Sequence, residues 1–165
     1  MSASQPALPA PPAPYRQPAL NGLLATILRS PFHGLASKSN LLISYRGRRS
    51  GLLHELPVRY ADAPRGYVVL IGRSEAKRWW RNFTEPWPLT VVVRGRSIGA
   101  VGRVVPGETD NGVDLAAEYF RRYRGSARHH GLRVRKGESA SREDVRRTAA
   151  GLRFLEVIPD DGAAP

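Results

Sequence analysis

The sequence predicts a mainly-β member of the α+β class: a small barrel or sandwich of six short strands, with helices set between them. Three observations predict it. Six apolar or alternating runs have strand length, glycine, proline and aspartate punctuate them at hairpin spacing, and segments of helical period interrupt the series before the last run. Closing such a sheet on itself removes the unpaired edges that short strands otherwise expose.

The elements follow in chain order. Residues 1–18 hold six of the fourteen prolines and read as a disordered or polyproline arm. The arm lacks both a basic n-region and a continuous apolar h-region, so no secretory signal is indicated and a cytoplasmic location is expected. Leu20, Leu23, Leu24, Ile27 and Leu28 then share one helical face, which Pro31 ends. That face packs on the domain core or, given the basic balance of the chain, meets a membrane surface or a second copy. Monomer and homodimer both stay open.

Strands are expected over Leu41 to Arg46, Leu53 to Tyr60 and Gly66 to Ile71. A helix rich in tryptophan and arginine is expected from Glu75 to Phe83. Leu89 to Val93 and Ile98 to Val105 flank Arg94-Gly95-Arg96, a natural hairpin turn. A second helix runs from about Asp114 to Arg124, with Ala116, Tyr119, Phe120 and Tyr123 on one face. Ser141 and Asp144 make a capping box for a third, ending near Gly151, and Leu152 to Ile158 is the last strand. The expected domain is single, over 19–160, followed by a flexible tail, 161–165.

Composition narrows the chemistry. At 165 residues the chain buries a real core without staples, and with no cysteine it forms neither disulfides nor thiolate metal sites. His33, His54, His129 and His130 show no ligand spacing, so no protein-bound metal is expected. No apolar run approaches the roughly 18 residues of a membrane span. The net charge is +12, and of 26 basic residues only Lys38, Lys77 and Lys136 are lysines. Arginine's planar fork suits phosphate and carboxylate partners, although a compositional bias raising arginine, alanine, glycine and proline together gives the same count. No GxSxG elbow, Walker loop or GxGxxG after a strand is present. An enzyme of this kind therefore depends on a bound organic cofactor, the protein supplying orientation and electrostatics.

Three basic clusters stand out. In YRGRRSG, Gly47 and Gly51 free the backbone to approach a ligand while Arg48, Arg49 and Ser50 add donors; a solvated turn reads equally well. From Arg73 to Asn82, paired indoles lie among arginines, either as buried anchors with a charged rim or as a stacking platform beside anion grips. From Arg121 to Arg147 the better reading is a solvated face. A nucleic-acid-binding module is the rival of another class. A contiguous basic stripe with alternating exposed aromatics, which it would need, is not evident.

Three motifs occur in order: Gly47-Arg48-Arg49-Ser50-Gly51, then Pro57-Val58-Arg59-Tyr60, then Trp79-Trp80-Arg81-Asn82-Phe83 before a hairpin. Together they resemble the deazaflavin-dependent nitroreductase family of split β-barrel oxidoreductases, over less than half the chain. The resemblance implies a six-stranded, FMN-binding-like split β-barrel that binds coenzyme F-420, an 8-hydroxy-5-deazaflavin whose tail carries a phosphate and several glutamates. FMN, or an apolar ligand bound without turnover, is the alternative. Carried over by position, Arg48, Arg49 and Ser50 hold the phosphate on the Gly47 to Gly51 turn, and backbone around Pro57, Val58 and Arg59 meets the ring. Ser74 and Lys77 lie near ring and tail beside Arg73, with Trp79 and Asn82 supporting the pocket. His54 stands where the family usually has arginine. The implied reaction passes a hydride to a small electron-poor acceptor such as a quinone, enone or nitro compound. Ser74, Tyr123 and His129 are the candidate proton donors.

Overall fold

Alternation along each strand decides which of two cores it feeds. β1 (Asn40–Arg46) sends Leu41, Ile43 and Tyr45 to one side of the sheet. β7 (Arg153–Pro159) sends Leu155 and Val157 to that same side while Phe154 faces the other. The computed structural model describes residues 38–134 and 139–160. The proline-rich arm, the helix expected over 20–28 and the tail 161–165 lie outside them.

With β2 (Leu53–Arg59), β3 (Ala61–Ala63), β4 (Gly66–Leu70), β5 (Trp87–Val93) and β6 (Arg96–Pro106), these strands form one antiparallel sheet in the order β2-β1-β5-β6-β7-β4-β3. The fold is mainly β within the α+β class, as expected, but the described residues form seven strands where six were expected. The extra strand is Ala61–Ala63, which follows the run predicted to end at Tyr60. Tyr60 donates its N–H to Ser39 O on the β1 side, and from Ala61 onward the chain pairs with β4. One residue thus separates the two outermost strands, which bends the sheet into a curled half-barrel. Between Arg94 and Gly95, φ values of 49° and 76° give the primed turn that a tight hairpin needs. Arg94 also grips both oxygens of Asp62, at 2.7 and 2.8 Å.

Inside the curl lies the first core, with Tyr60, Phe83, Val91 and Leu155 fully buried. The helix expected from Glu75 to Phe83 is reduced to a 3₁₀ turn over Trp79–Phe83. Before it the chain makes a non-helical turn: Arg73 sits at φ 50°, and Ala76 and Lys77 donate to Arg73 O and Ser74 O. Trp80 Nε1 then donates to Ser74 O at 2.9 Å and pins the loop.

Helices cover the outer face. α1 (Asp110–Arg122) starts four residues before the expected Asp114, because Thr109 caps it by accepting from Gly112 N–H at 3.0 Å. Gly112 is required at that point, since a Cβ there would lie 2.0 Å from Pro106 O. α2 (Arg124–His129) is a short continuation past a break at Tyr123. α3 (Arg142–Ala149) is capped by Ser141, which accepts from Asp144 N–H as the expected capping box requires; its hydroxyl also donates to the Asp144 carboxylate. Val113, Ala116, Phe120, Val145 and Phe154 make the second core. No helix among the described residues is long and apolar enough to cross a membrane.

Candidate functional site

A sheet that curls without closing leaves a seam, and a large cleft opens in it. Its volume is about 970 Å³, in the upper range for a site that holds a cofactor or a drug-sized molecule. β2 forms one wall, the end of β4 with Gly72 and Arg73 the other, the 3₁₀ turn the floor, and Tyr119, Ser126, His129 and His130 from the helical side the lid.

β2 contributes backbone as well as side chains because it is an edge strand. Gly47 N–H bonds Leu52 O and Tyr60 N–H bonds Ser39 O, so the even-numbered residues of this segment turn their backbone groups toward β1. By the alternation of an antiparallel ladder, Glu55, Pro57 and Arg59 turn theirs outward, toward the seam. Pro57 offers only its carbonyl, which suits an edge position. Planar groups with alternating donors and acceptors match such an edge.

Charge gives the cleft its second character. Arg59, Arg73, Lys77 and Arg78 line it, with His54, His129 and His130, against one carboxylate, Glu55, which accepts from Ser44 Oγ at 2.9 Å. Arg59 lies 5.2 Å over the Tyr123 ring. Arg73 adopts a left-handed backbone, a conformation in which glycine is the default residue and which gathers at ligand sites in other residues. Burial, followed by the charge of His129, lowers the pKa of His130, so its ring is neutral at neutral pH. Tyr119 is pushed up to about 12 by burial, with Arg59 pulling in the opposite direction. No group of three metal-binding side chains occurs among the described residues.

Of the residues expected at the site, His54, Pro57, Val58, Arg59, Arg73, Lys77, Trp79, Asn82 and His129 line the cleft, while Gly47, Arg48, Arg49, Ser50, Gly51, Ser74 and Tyr123 do not. Arg48 turns instead to the 3₁₀ turn and the start of β5. Its guanidinium donates to the carbonyls of Asn82, Glu85 and Pro86 at 2.7, 2.8 and 3.1 Å and lies 4.5 Å over the Trp87 ring. Its N–H meets Asn82 Oδ1 at 2.9 Å. The turn's remaining groups mostly serve the turn: Ser50 Oγ accepts from Leu52 N–H, and Gly51, at φ 65°, donates its N–H to Gly47 O. Arg49 is exposed on it. Arg48→Ala is therefore expected to lower stability by about 1–3 kcal/mol, read as a shift of the urea midpoint.

Ser74 is 5% exposed, donates to Glu75 Oε1 and lies beneath Trp80. Tyr123 donates its hydroxyl toward Tyr60 O, at 2.5 Å, and Ser39 O, at 3.2 Å, tying the helical break to the point where the sheet switches edges. Both expected donors thus have other partners. Arg78 and His130 were not singled out, and Tyr119, placed on the apolar face of its helix, also lines the cleft.

No family model matches the sequence, and no curated protein matches it. Among solved structures the chain is similar to the crystal structure of HutZ, the heme storage protein from Vibrio cholerae. The identity is 12%, over 82% of this chain and 87% of that one, with a TM-score of 0.43.

Proposed function

We propose that the chain is a split β-barrel reductase of the deazaflavin-dependent nitroreductase family, binding coenzyme F-420 in the seam cleft and reducing a small electron-poor acceptor. The observation that carries this reading is the pairing, in one cleft, of an outward-facing β2 edge with a cationic rim. The edge offers the N–H of Arg59 and the carbonyl of Pro57 to the pyrimidine part of a deazaflavin ring. Arg73, Lys77 and Arg78 offer charge to the phosphate and glutamates of its tail. FMN carries one phosphate and makes less use of such a rim.

When bound, the reduced coenzyme supplies a hydride. The chain's own groups do the rest: β2 orients the ring, Trp79 and Leu56 wall it with apolar surface, and the lid residues of α1 and α2 shield the acceptor from water. Turnover is tested by mixing the protein, loaded with reduced coenzyme, with menadione and following reoxidation by absorbance. Reoxidation faster than that of free coenzyme is expected; an unchanged rate counts against the reductase assignment.

A further inference from the structure

We propose that the helical layer holds a second ligand site, on the face of α2 turned away from the cleft, and that this site takes a free monocarboxylic acid with an apolar body about the size of one ring. Nothing in it depends on a deazaflavin in the cleft. Ser126 and His129 of α2 line the cleft, whereas Arg124, Ala127 and Arg128 line a separate cavity of about 160 Å³. The division follows the helical period and continues into α1, where Tyr119 faces the cleft while Phe120 and Arg121 face the second cavity.

The floor of this cavity is apolar. Phe120, Ala127, Leu132 and Val145 meet there, each only 3% or 4% exposed. An apolar cavity of about 150 Å³ admits a body the size of benzene. The space therefore suits one ring or a short chain, and is well below the roughly 300–1,000 Å³ of a site for a cofactor or a drug-sized molecule.

The rim supplies the charge. Arg121, Arg124 and Arg128 line the cavity and no carboxylate does. The acids of α1 and α3 are largely engaged by other arginines: Asp110 lies 2.6 Å from Arg146, Asp114 pairs with Arg142, and Asp144 with Arg147. Glu118 pairs with Arg121. Among the described residues no ion pair engages Arg124 or Arg128. These two stand one helical turn apart on the same face, an arrangement that suits a carboxylate approached by two guanidinium forks. An anion without an apolar body would leave the floor uncovered, and a neutral hydrocarbon would leave both arginines without a counter-charge.

Titration of the isotope-labelled full chain with phenylacetate, without coenzyme, tests the site through the methyl NMR signals of Ala127, Leu132 and Val145. Saturable shifts of these signals are expected, and phenylacetamide, the neutral counterpart, should bind roughly tenfold more weakly. Arg124→Gln together with Arg128→Gln should bring phenylacetate down to the affinity of the amide and leave the amide's own affinity unchanged. Both arginines are exposed, so the fold should survive their replacement. No shift of the three methyl groups, equal affinity for acid and amide, or an acid affinity that survives the loss of both arginines overturns the proposal. Shifts confined to the Leu56 and Val58 methyls would place the acid in the cleft and overturn it as well, whatever the outcome for the coenzyme.

Discussion

Alanine in place of Arg73, Lys77 and Arg78 together is expected to weaken binding of the F-420 coenzyme about a hundredfold. All three side chains are exposed at the mouth of the cleft, so solvent screening holds each contact with the anionic tail near 1 kcal/mol. Three such contacts amount to about two orders of magnitude in affinity. Because the contribution is ionic, added salt should bring the unsubstituted protein toward the variant. The tail-less deazaflavin ring should lose little, since it meets the β2 edge and not the rim. The Trp80 anchor on Ser74 O and the buried Phe83 stay in place, so the melting temperature should hardly move. Equal losses for the tailed and tail-less ligands would remove the rim from the binding model.

Removing Arg103 is expected to destabilise the fold strongly. Arg103 and Glu156 lie directly opposite each other on β6 and β7, on the face that packs against the helices. Glu156 is 2% exposed and accepts from Arg103 Nε at 2.7 Å and from Asn111 Nδ2 of α1 at 3.3 Å. Arg103→Ala leaves that carboxylate buried with Asn111 alone, at a cost of about 3 kcal/mol, or a loss of about 10 °C in Tm. A double change of Arg103 and Glu156 to leucine should recover most of the loss, because it removes the buried charge together with its partner. A single variant within about 0.5 kcal/mol of the parent would show that water reaches Glu156 once Arg103 is gone.

How much of this was legible in the sequence depended on whether the signal was local. The alternation in Leu41, Ile43 and Tyr45, the Arg94-Gly95 turn and the Ser141-Asp144 cap are set by neighbours in sequence, and each has its structural counterpart. The seventh strand was hidden because Ala61 to Ala63 is only three residues long and read as punctuation between two runs. Its pairing with β4 makes it a strand. The helix expected from Glu75 to Phe83 was drawn over a stretch rich in tryptophan and arginine, but the left-handed Arg73 and the Trp80 bond to Ser74 O favour a turn before Trp79. α1 began early because the apolar face used to find it starts later than the Thr109 cap.

The site was legible to the same degree. β2 was placed at the ligand by the family resemblance, and the segment from Arg73 to Asn82 by that resemblance and by Arg73 and Lys77 lying just past a strand end; both line the cleft. Arg48 read as an anion grip from its glycine-flanked turn. The sequence does not show that the carbonyls at the end of the 3₁₀ turn lie within its reach. Ser74 was placed near the ring by the family resemblance; the turn puts it under an indole.

The central claim is that the seam cleft holds a tailed deazaflavin. Equilibrium titration of the full chain with coenzyme F-420 and, separately, with FMN tests it most directly. Saturable binding of the coenzyme, tighter than that of FMN and weakened by added salt, is the predicted result. No coenzyme binding, or FMN bound as tightly and without salt dependence, would contradict the account.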